Sequence, residues 1–435
     1  MPTAATHAAF YRRPVFRAAS CAIIMIAVSN GFSSRSLAQR MDDQSMLRLS
    51  TRVLPEYTPE GIRAGDFILF PSLTTAGGYT DNVYNTDSSR RSDRFASASP
   101  RMELKSDFAR HALNAALFVE RKLYARTPKE NSTDYGGSLS GKIDVTGNSF
   151  VPLSFSYKRD HYDRSIEEER SGTTPTVFDL FETSGGVVHQ GSHAAFKALG
   201  SVRRYIFKNS GAPSNFIKTD NSDRDRSEYG FYASLGIRED RLFAPFIYTN
   251  VRKIQYDHKR DNNGFNRSSA VREAGLGSVV NISDITKVSF NAGHINRSTS
   301  DSRLSNKDGL VYGLNLSWDP SPLTSVLLRA SRGVSETISP SSPSVTYSDV
   351  NLSMNYELFP NLLIQPSAAY RKSDYDNIER TVERFSAGFD AIYKVNPSAW
   401  LTSSYQHANI IEDGADKVYG DRSKNTYMIS LRMQF

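Results

Sequence analysis

The sequence predicts an all-β chain: a transmembrane, up-and-down antiparallel β-barrel of about 18 strands that follows a cleaved signal peptide. Three observations predict it. From residue 66 onward, stretches of about ten to fourteen residues alternate apolar and polar side chains, and a period of two marks half-buried strands. The connections alternate between short turns and long polar loops, the asymmetry of barrels that cross a bacterial outer membrane. The chain ends on "NTYMISLRMQF", with Tyr427, Ile429, Leu431, Met433 and Phe435 on one face. A free edge strand of that kind invites aggregation, so it calls for a partner.

The first forty residues differ from the rest. "YRRPVFR" is basic, "AASCAIIMIAV" is apolar but too short to span a bilayer, and "SLAQ" offers a small-x-small cleavage site. Residues 1–38 read as a secretory signal peptide cut after Ala38. Cys21 is the single cysteine and leaves with it, so the mature chain has neither disulfide nor thiolate metal site. Residues 39–65, polar and proline-containing, are expected in the periplasm or folded into the lumen as a partial plug. The barrel is assigned to residues 66–435.

Charged residues make up 23% of the 435 and hydrophobic ones 39%. No mature segment holds the run of about 20 apolar residues that a membrane-crossing helix needs. Barrels are equally polar, because alternate residues face away from lipid. A propeller would repeat every 40–50 residues or so with a recurring signature, and none is present.

The clearest strands are "VPLSFSY", "YGFYASLGI", "LVYGLNLSW", "DVNLSMNYEL" and "FSAGFDAIY"; "FDLFETSGGVVHQ" and "AWLTSSYQHA" alternate poorly. Short turns are expected at "SDFA", "TGNS", "GSH", "EDR", "SD", "DPSP", "FPN" and "NPS", all rich in turn-forming residues. With the long loops between them they give an even strand number and place both ends on one rim.

One face of each strand collects Leu, Val, Ile, Ala and aromatics, as lipid requires. Tyr157, Tyr229, Trp318, Tyr356, Tyr393 and Phe435 fall toward strand ends and suit the membrane interfaces. The other face leans basic. Its register puts Arg101, Lys105, Lys142, Lys158, Arg203, Arg238, Arg252, Arg329, Arg371 and Arg432 in the lumen, because a charge facing lipid near the midplane costs roughly 2–4 kcal/mol. A hydrated bore with excess Lys and Arg favours anions. The competing reading is that these charges pair along the wall and select nothing.

No GxSxG, HExxH or phosphate-loop motif occurs, and no histidine sits at metal-ligand spacing. "GLGSVV" has two glycines of a dinucleotide fingerprint without the third or its helix. His161, His258, His294 and His407 are the conceivable catalytic bases, and isolated barrel histidines are far more often wall residues. "DNSDRDR" reads as a solvated loop. No catalytic, cofactor or metal site is assigned. The net charge of +7 is interspersed with acids along the strands, which excludes a nucleic-acid partner.

One stretch goes beyond pattern. "RVLPEYTPEGIRAGDFILFPSLTTAGGYTDNVYNT" (52–86) resembles the start of the β-barrel porin 2 family of Gram-negative outer-membrane proteins, and "SDFARHAL" (106–113) is similar to that family's first periplasmic turn. Thr58 stands where an acidic residue is usual. The resemblance implies a barrel of this size and an association with exopolysaccharide export, and it brings no catalytic residues.

The resulting expectation is a porin-like channel in the bacterial outer membrane, an exit or diffusion conduit for anionic solutes or exopolysaccharide. The alternatives are a structural or adhesive barrel, or an outer-membrane hydrolase. Expected partners are outer-membrane lipid, the barrel-assembly machinery, which would read Tyr427 and Phe435 as a C-terminal insertion signal, and polysaccharide export components.

Overall fold

The computed structural model describes residues 55–166, 169, 174–211, 220–339 and 342–435. Residues 1–54, on which the expected signal peptide and most of the expected N-terminal segment fall, lie outside the described residues.

A three-residue strand, β1 (Ile62–Ala64), precedes eighteen long ones: β2 (Phe67–Thr80), β3 (Asp93–Ser106), β4 (Ala112–Tyr124), β5 (Ser132–Thr146), β6 (Ser149–His161) and β7 (Val177–Gln190). Then come β8 (Ala195–Phe207), β9 (Arg226–Gly236), β10 (Phe243–Tyr256), β11 (Ser269–Ser283), β12 (Thr286–Thr299) and β13 (Lys307–Ser321). The last six are β14 (Thr324–Ser335), β15 (Val345–Phe359), β16 (Leu362–Tyr375), β17 (Thr381–Asn396), β18 (Ala399–Asp413) and β19 (Arg422–Gln434). Each pairs antiparallel with its chain neighbours, and β19 pairs with β2 from Thr426↔Thr80 to Gln434↔Ser72. The sheet is closed, so the terminal strand has no free edge. Poor alternation in 177–190 and 399–413 did not prevent strands there; in β7, Gly185 and Gly186 interrupt the apolar row.

Five connections on one rim hold two residues each, as at 147–148 and 397–398. Pro320 sits inside β13, just before the 322–323 turn and at a break in its register with β14. The other rim carries nine loops: L1 (81–92), L2 (125–131), L3 (162–176), L4 (208–225), L5 (257–268), L6 (300–306), L7 (336–344), L8 (376–380) and L9 (414–421). Short turns mark the periplasmic rim and long loops the outer one.

Alternation along each strand separates lipid from lumen. Leu117, Ile247, Leu276, Leu310 and Ile429 are 61–72% exposed on the outer face, a surface that would aggregate in water and is required in lipid.

The seam has a second component. β19 covers β2 only down to Ser72, and Phe435 N donates to the Pro71 carbonyl at 3.3 Å. Below it, β1 pairs Ile62–Ala64 with Leu69–Phe67 and so continues the missing edge. Gly65 makes the reversal with φ +62° and Gly61 leads into β1 with φ +74°, conformations a β-carbon disfavours.

Candidate functional site: the lumen and its outer mouth

Within the barrel, basic side chains and their acidic partners line the wall. On β3, Arg101 Nε donates to Glu103 at 2.7 Å, and Lys105 lies 3.7 Å from the same carboxylate and over the Phe70 ring. On the last strand Arg432 faces the same way, stacked near Trp400. Lys142 pairs with Asp144, Lys158 with Asp160, and Arg203 with Glu182 and Glu228. Arg252 and Glu273 border one lumenal cavity of about 110 Å³, together with Tyr232, Tyr248, Asn250 and Asn291. Arg371 lies over Tyr347, and Arg329 shares its face of β14 with Ser331. Arg238 is a correction: it lies beyond the end of β9 in the periplasmic 237–242 turn, paired with Asp240 at 2.7 Å, rather than on the wall. The apolar–polar alternation of β9 runs on through Ile237 and Arg238, two residues past the point where the strand stops.

The interface aromatics fall on the outer face. Trp318, Tyr393 and Phe435 are 44–66% exposed toward the periplasmic rim, and Tyr356 shares that level and face. Tyr229 and Tyr427 stand nearer the outer rim. Tyr157 packs on Phe181 with centroids 4.7 Å apart and donates to Asp179 at 3.0 Å.

Alternation could not reveal that the outer end of the bore is packed. Tyr162 and Ile166 of L3 fold onto the lumenal faces of Phe178, Leu180, Tyr205 and Phe207. Two further apolar clusters form inside the wall, one around Ile254 and Ile295 and one around Val382 and Ile410. Covered lumen-facing positions are either apolar, as in these clusters, or charged and paired, as Arg297 is with Glu336 of L7.

The loops also bind one another in a circuit. The L1 residue Asn85 donates to the Arg164 carbonyl of L3 at 3.5 Å. From L3, Tyr162 carries Arg224 of L4 over its ring, and Asn262 N of L5 donates to Asp223 of L4 at 3.1 Å. Asn266 N donates to Asp301 of L6, Ser305 of L6 to Asn377 of L8, and Glu379 N to Asp416 of L9, at 2.7–2.9 Å. Gly420 N closes the circuit on Asp87 of L1 at 3.2 Å.

Two buried arginines fasten the two remaining loops. Arg164 takes both carboxylate oxygens of Glu130 in L2, at 2.7 and 3.0 Å. Arg267 of L5, 5% exposed, donates to the carbonyls of Thr337, Ser339 and Ser342 in L7 and pairs with Asp261. Lys424 of β19 reaches Asp163 of L3 at 3.2 Å, which together with Ser165 holds that carboxyl well below its usual range although it is buried. Burial pushes Glu169 up to about 7, against the pull of Arg164, Arg224 and Thr176.

The histidines do not converge. His161 Nδ1 lies 2.9 Å from Asp134, His407 Nδ1 is 2.8 Å from Asn425 Oδ1, and His294 stands 62% exposed on the outer face. Strand pairing does bring Asp134, Asp160 and His161 together, which spacing along the sequence could not show. Lys158 and His161 already partner the two carboxylates.

At the periplasmic end, Thr58 and Pro59 share a recess with Phe70, Glu103, Lys105 and Arg432. The stretch just before β1 therefore lies against lumen-facing side chains.

The family described as putative beta-barrel porin 2 matches residues 54–435. The chain belongs to that family. It is an outer-membrane β-barrel channel of the bacterial cell envelope, and the family and fold point to a channel rather than an enzyme. Solved structures similar to it include OpdQ from Pseudomonas aeruginosa, 10% identical, covering 86% of this porin and 100% of that chain with a TM-score of 0.45. A BenF-like porin from Pseudomonas fluorescens Pf-5 is 9% identical over 84% of this porin and 99% of that chain, with a TM-score of 0.44. A mutant of the ferric enterobactin receptor PfeA from Pseudomonas aeruginosa is 7% identical, with coverages of 84% and 80% and a TM-score of 0.46. No curated protein matches. The assignment rests on the family match.

Proposed function

We propose that this porin passes anionic solutes, acidic polysaccharide among them, through a net-basic bore whose outer mouth is constricted by its loops. The observation that carries the reading is the periplasmic half of the wall, where Arg101, Lys105 and Arg432 surround Glu103. Cations set in a wall of low dielectric raise the local concentration of anions and lower their entry barrier. Apolar packing and the loop circuit at the outer mouth then make passage depend on loop displacement. Residues 55–61 act as a partial plug at the periplasmic end, where Thr58 and Pro59 lie beside Lys105 and Arg432.

Charge reversal tests the reading. Replacing Arg101 and Arg432 with Glu is expected to move the zero-current potential in a KCl gradient from anion toward cation preference. An unchanged potential in a folded variant would remove these residues from selectivity. An adhesive role gains support from the loop circuit, which presents a rigid outer surface. In that case loop substitutions would alter binding to a surface partner and leave conductance untouched.

A further inference from the structure

Four successive strands carry side chains at one level of the outer face, each three residues from the strand's outer end: Tyr229 on β9, Lys253 on β10, Arg272 on β11 and Asn296 on β12. Pairing places Lys253 opposite Tyr229 on one side and Ala270 on the other, while Arg272 lies opposite Val251 and Asn296. Lys253 and Arg272 are therefore diagonal neighbours on the same face, within reach of one small anion. Both are exposed. Beneath them the face is apolar, with Ile247 62% and Leu276 64% exposed.

Several outward cations near this rim have carboxylate partners: Arg159 with Asp179, Arg204 with Asp257, Lys372 with Asp374 and Glu383. Arg94 and Arg121 have none among the described residues but do not form a diagonal pair. Among the described residues, Lys253 and Arg272 have none within ion-pair distance. Two adjacent like charges repel, and the acid on this face, Asp308 of β13, stands one strand beyond Asn296 and is taken by the Asn296 amide at 2.8 Å. The surface they belong to is already the lipid interface, and Tyr229 beside them marks the depth at which hydrocarbon gives way to headgroups.

We infer that Lys253 and Arg272 form a site for the phosphate headgroup of an outer-leaflet lipid, with the acyl chains lying over Ile247 and Leu276. Arg offers a two-pronged donor set that fits phosphate oxygens, and Lys adds a point charge. The site commits to a membrane lipid rather than a soluble phosphate, because the apolar surface continues the contact below the headgroup.

The test uses the full-length mature porin in phosphatidylcholine nanodiscs containing a minor fraction of lipid A, or of the same lipid stripped of its phosphates. Native mass spectrometry after gentle removal of bulk lipid counts the molecules retained. The expected result is at least tenfold preferential retention of the phosphorylated form by the wild type, abolished in Lys253→Gln/Arg272→Gln. The variant should keep its heat-dependent gel mobility. Arg94→Gln, at the rim on β3, serves as a second variant and should leave retention unchanged. Equal retention of both lipids by the wild type would overturn the site, as would undiminished preference in the double variant. Complete displacement by millimolar inorganic phosphate would overturn the assignment to lipid.

Discussion

Arg164 of L3 holds both oxygens of the Glu130 carboxylate of L2, with the two side chains only 10% and 4% exposed. Its second amino group also lies 3.4 Å from Glu169 within its own loop. One guanidinium therefore neutralises two acids inside the constriction.

Arg164→Ala would leave the buried Glu130 without its two-pronged partner and Glu169 with the weaker pull of Arg224. Removing one partner of a buried pair costs about 3–5 kcal/mol. That is enough to displace L3 while the barrel persists. Limited proteolysis should cut between residues 162 and 176 in the variant and spare the wild type, and single-channel conductance should rise.

The pH dependence follows from Glu169. Its carboxyl titrates near 7 in the closed mouth and, once L3 is displaced into water, near the ordinary value of 4.5. The closed form thus binds more protons between those values, and closure weakens as pH rises through about 7. Asp163, held ionised by Lys424, adds no slope in this window. Open probability is expected to increase from pH 5 to pH 8, with Glu169→Gln flattening the response. A response that survives this substitution would assign the titration elsewhere.

The face assignment makes a sharper contrast between neighbours. Leu276→Arg puts a charge into lipid midway along β11, at a cost of roughly 2–4 kcal/mol. Asn315→Arg, at the border of the lumenal cavity, should cost far less. Urea titration of refolding into vesicles measures the difference, and equal losses would mean that the register is wrong.

Deleting residues 39–61 removes the stretch whose Thr58 and Pro59 sit beside Lys105 and Arg432. The barrel retains all eighteen long strands, and conductance should increase. An unchanged conductance would mean that this stretch plugs nothing. Deletion of Phe435 addresses the C-terminal signal: insertion by the assembly machinery should slow, because the last aromatic of the terminal strand is lost.

Strand number, seam and most of the wall were legible because a barrel repeats one rule, apolar out and polar in, for every strand. Arg432 and Gln434 could be placed opposite Leu431 and Met433 from the last eleven residues alone. Arg238 failed because alternation carries no mark where a strand ends. The constriction was illegible for a different reason. Phe178, Leu180, Ile254 and Val382 are apolar on the lumen side, and nothing local distinguishes a residue facing lipid from one covered by a loop distant in sequence. The contact of Lys424 with Asp163 spans 261 positions, and Arg267 meets carbonyls more than 70 positions away.

The central claim, a net-basic channel with a loop-constricted mouth, is tested most directly by single-channel recording of the folded porin in planar bilayers under a KCl gradient. The account predicts stepwise conductance, a zero-current potential of anion-selective sign, and larger or more frequent openings in Arg164→Ala. A correctly folded barrel that shows no steps in either protein, or one that prefers cations, would contradict it.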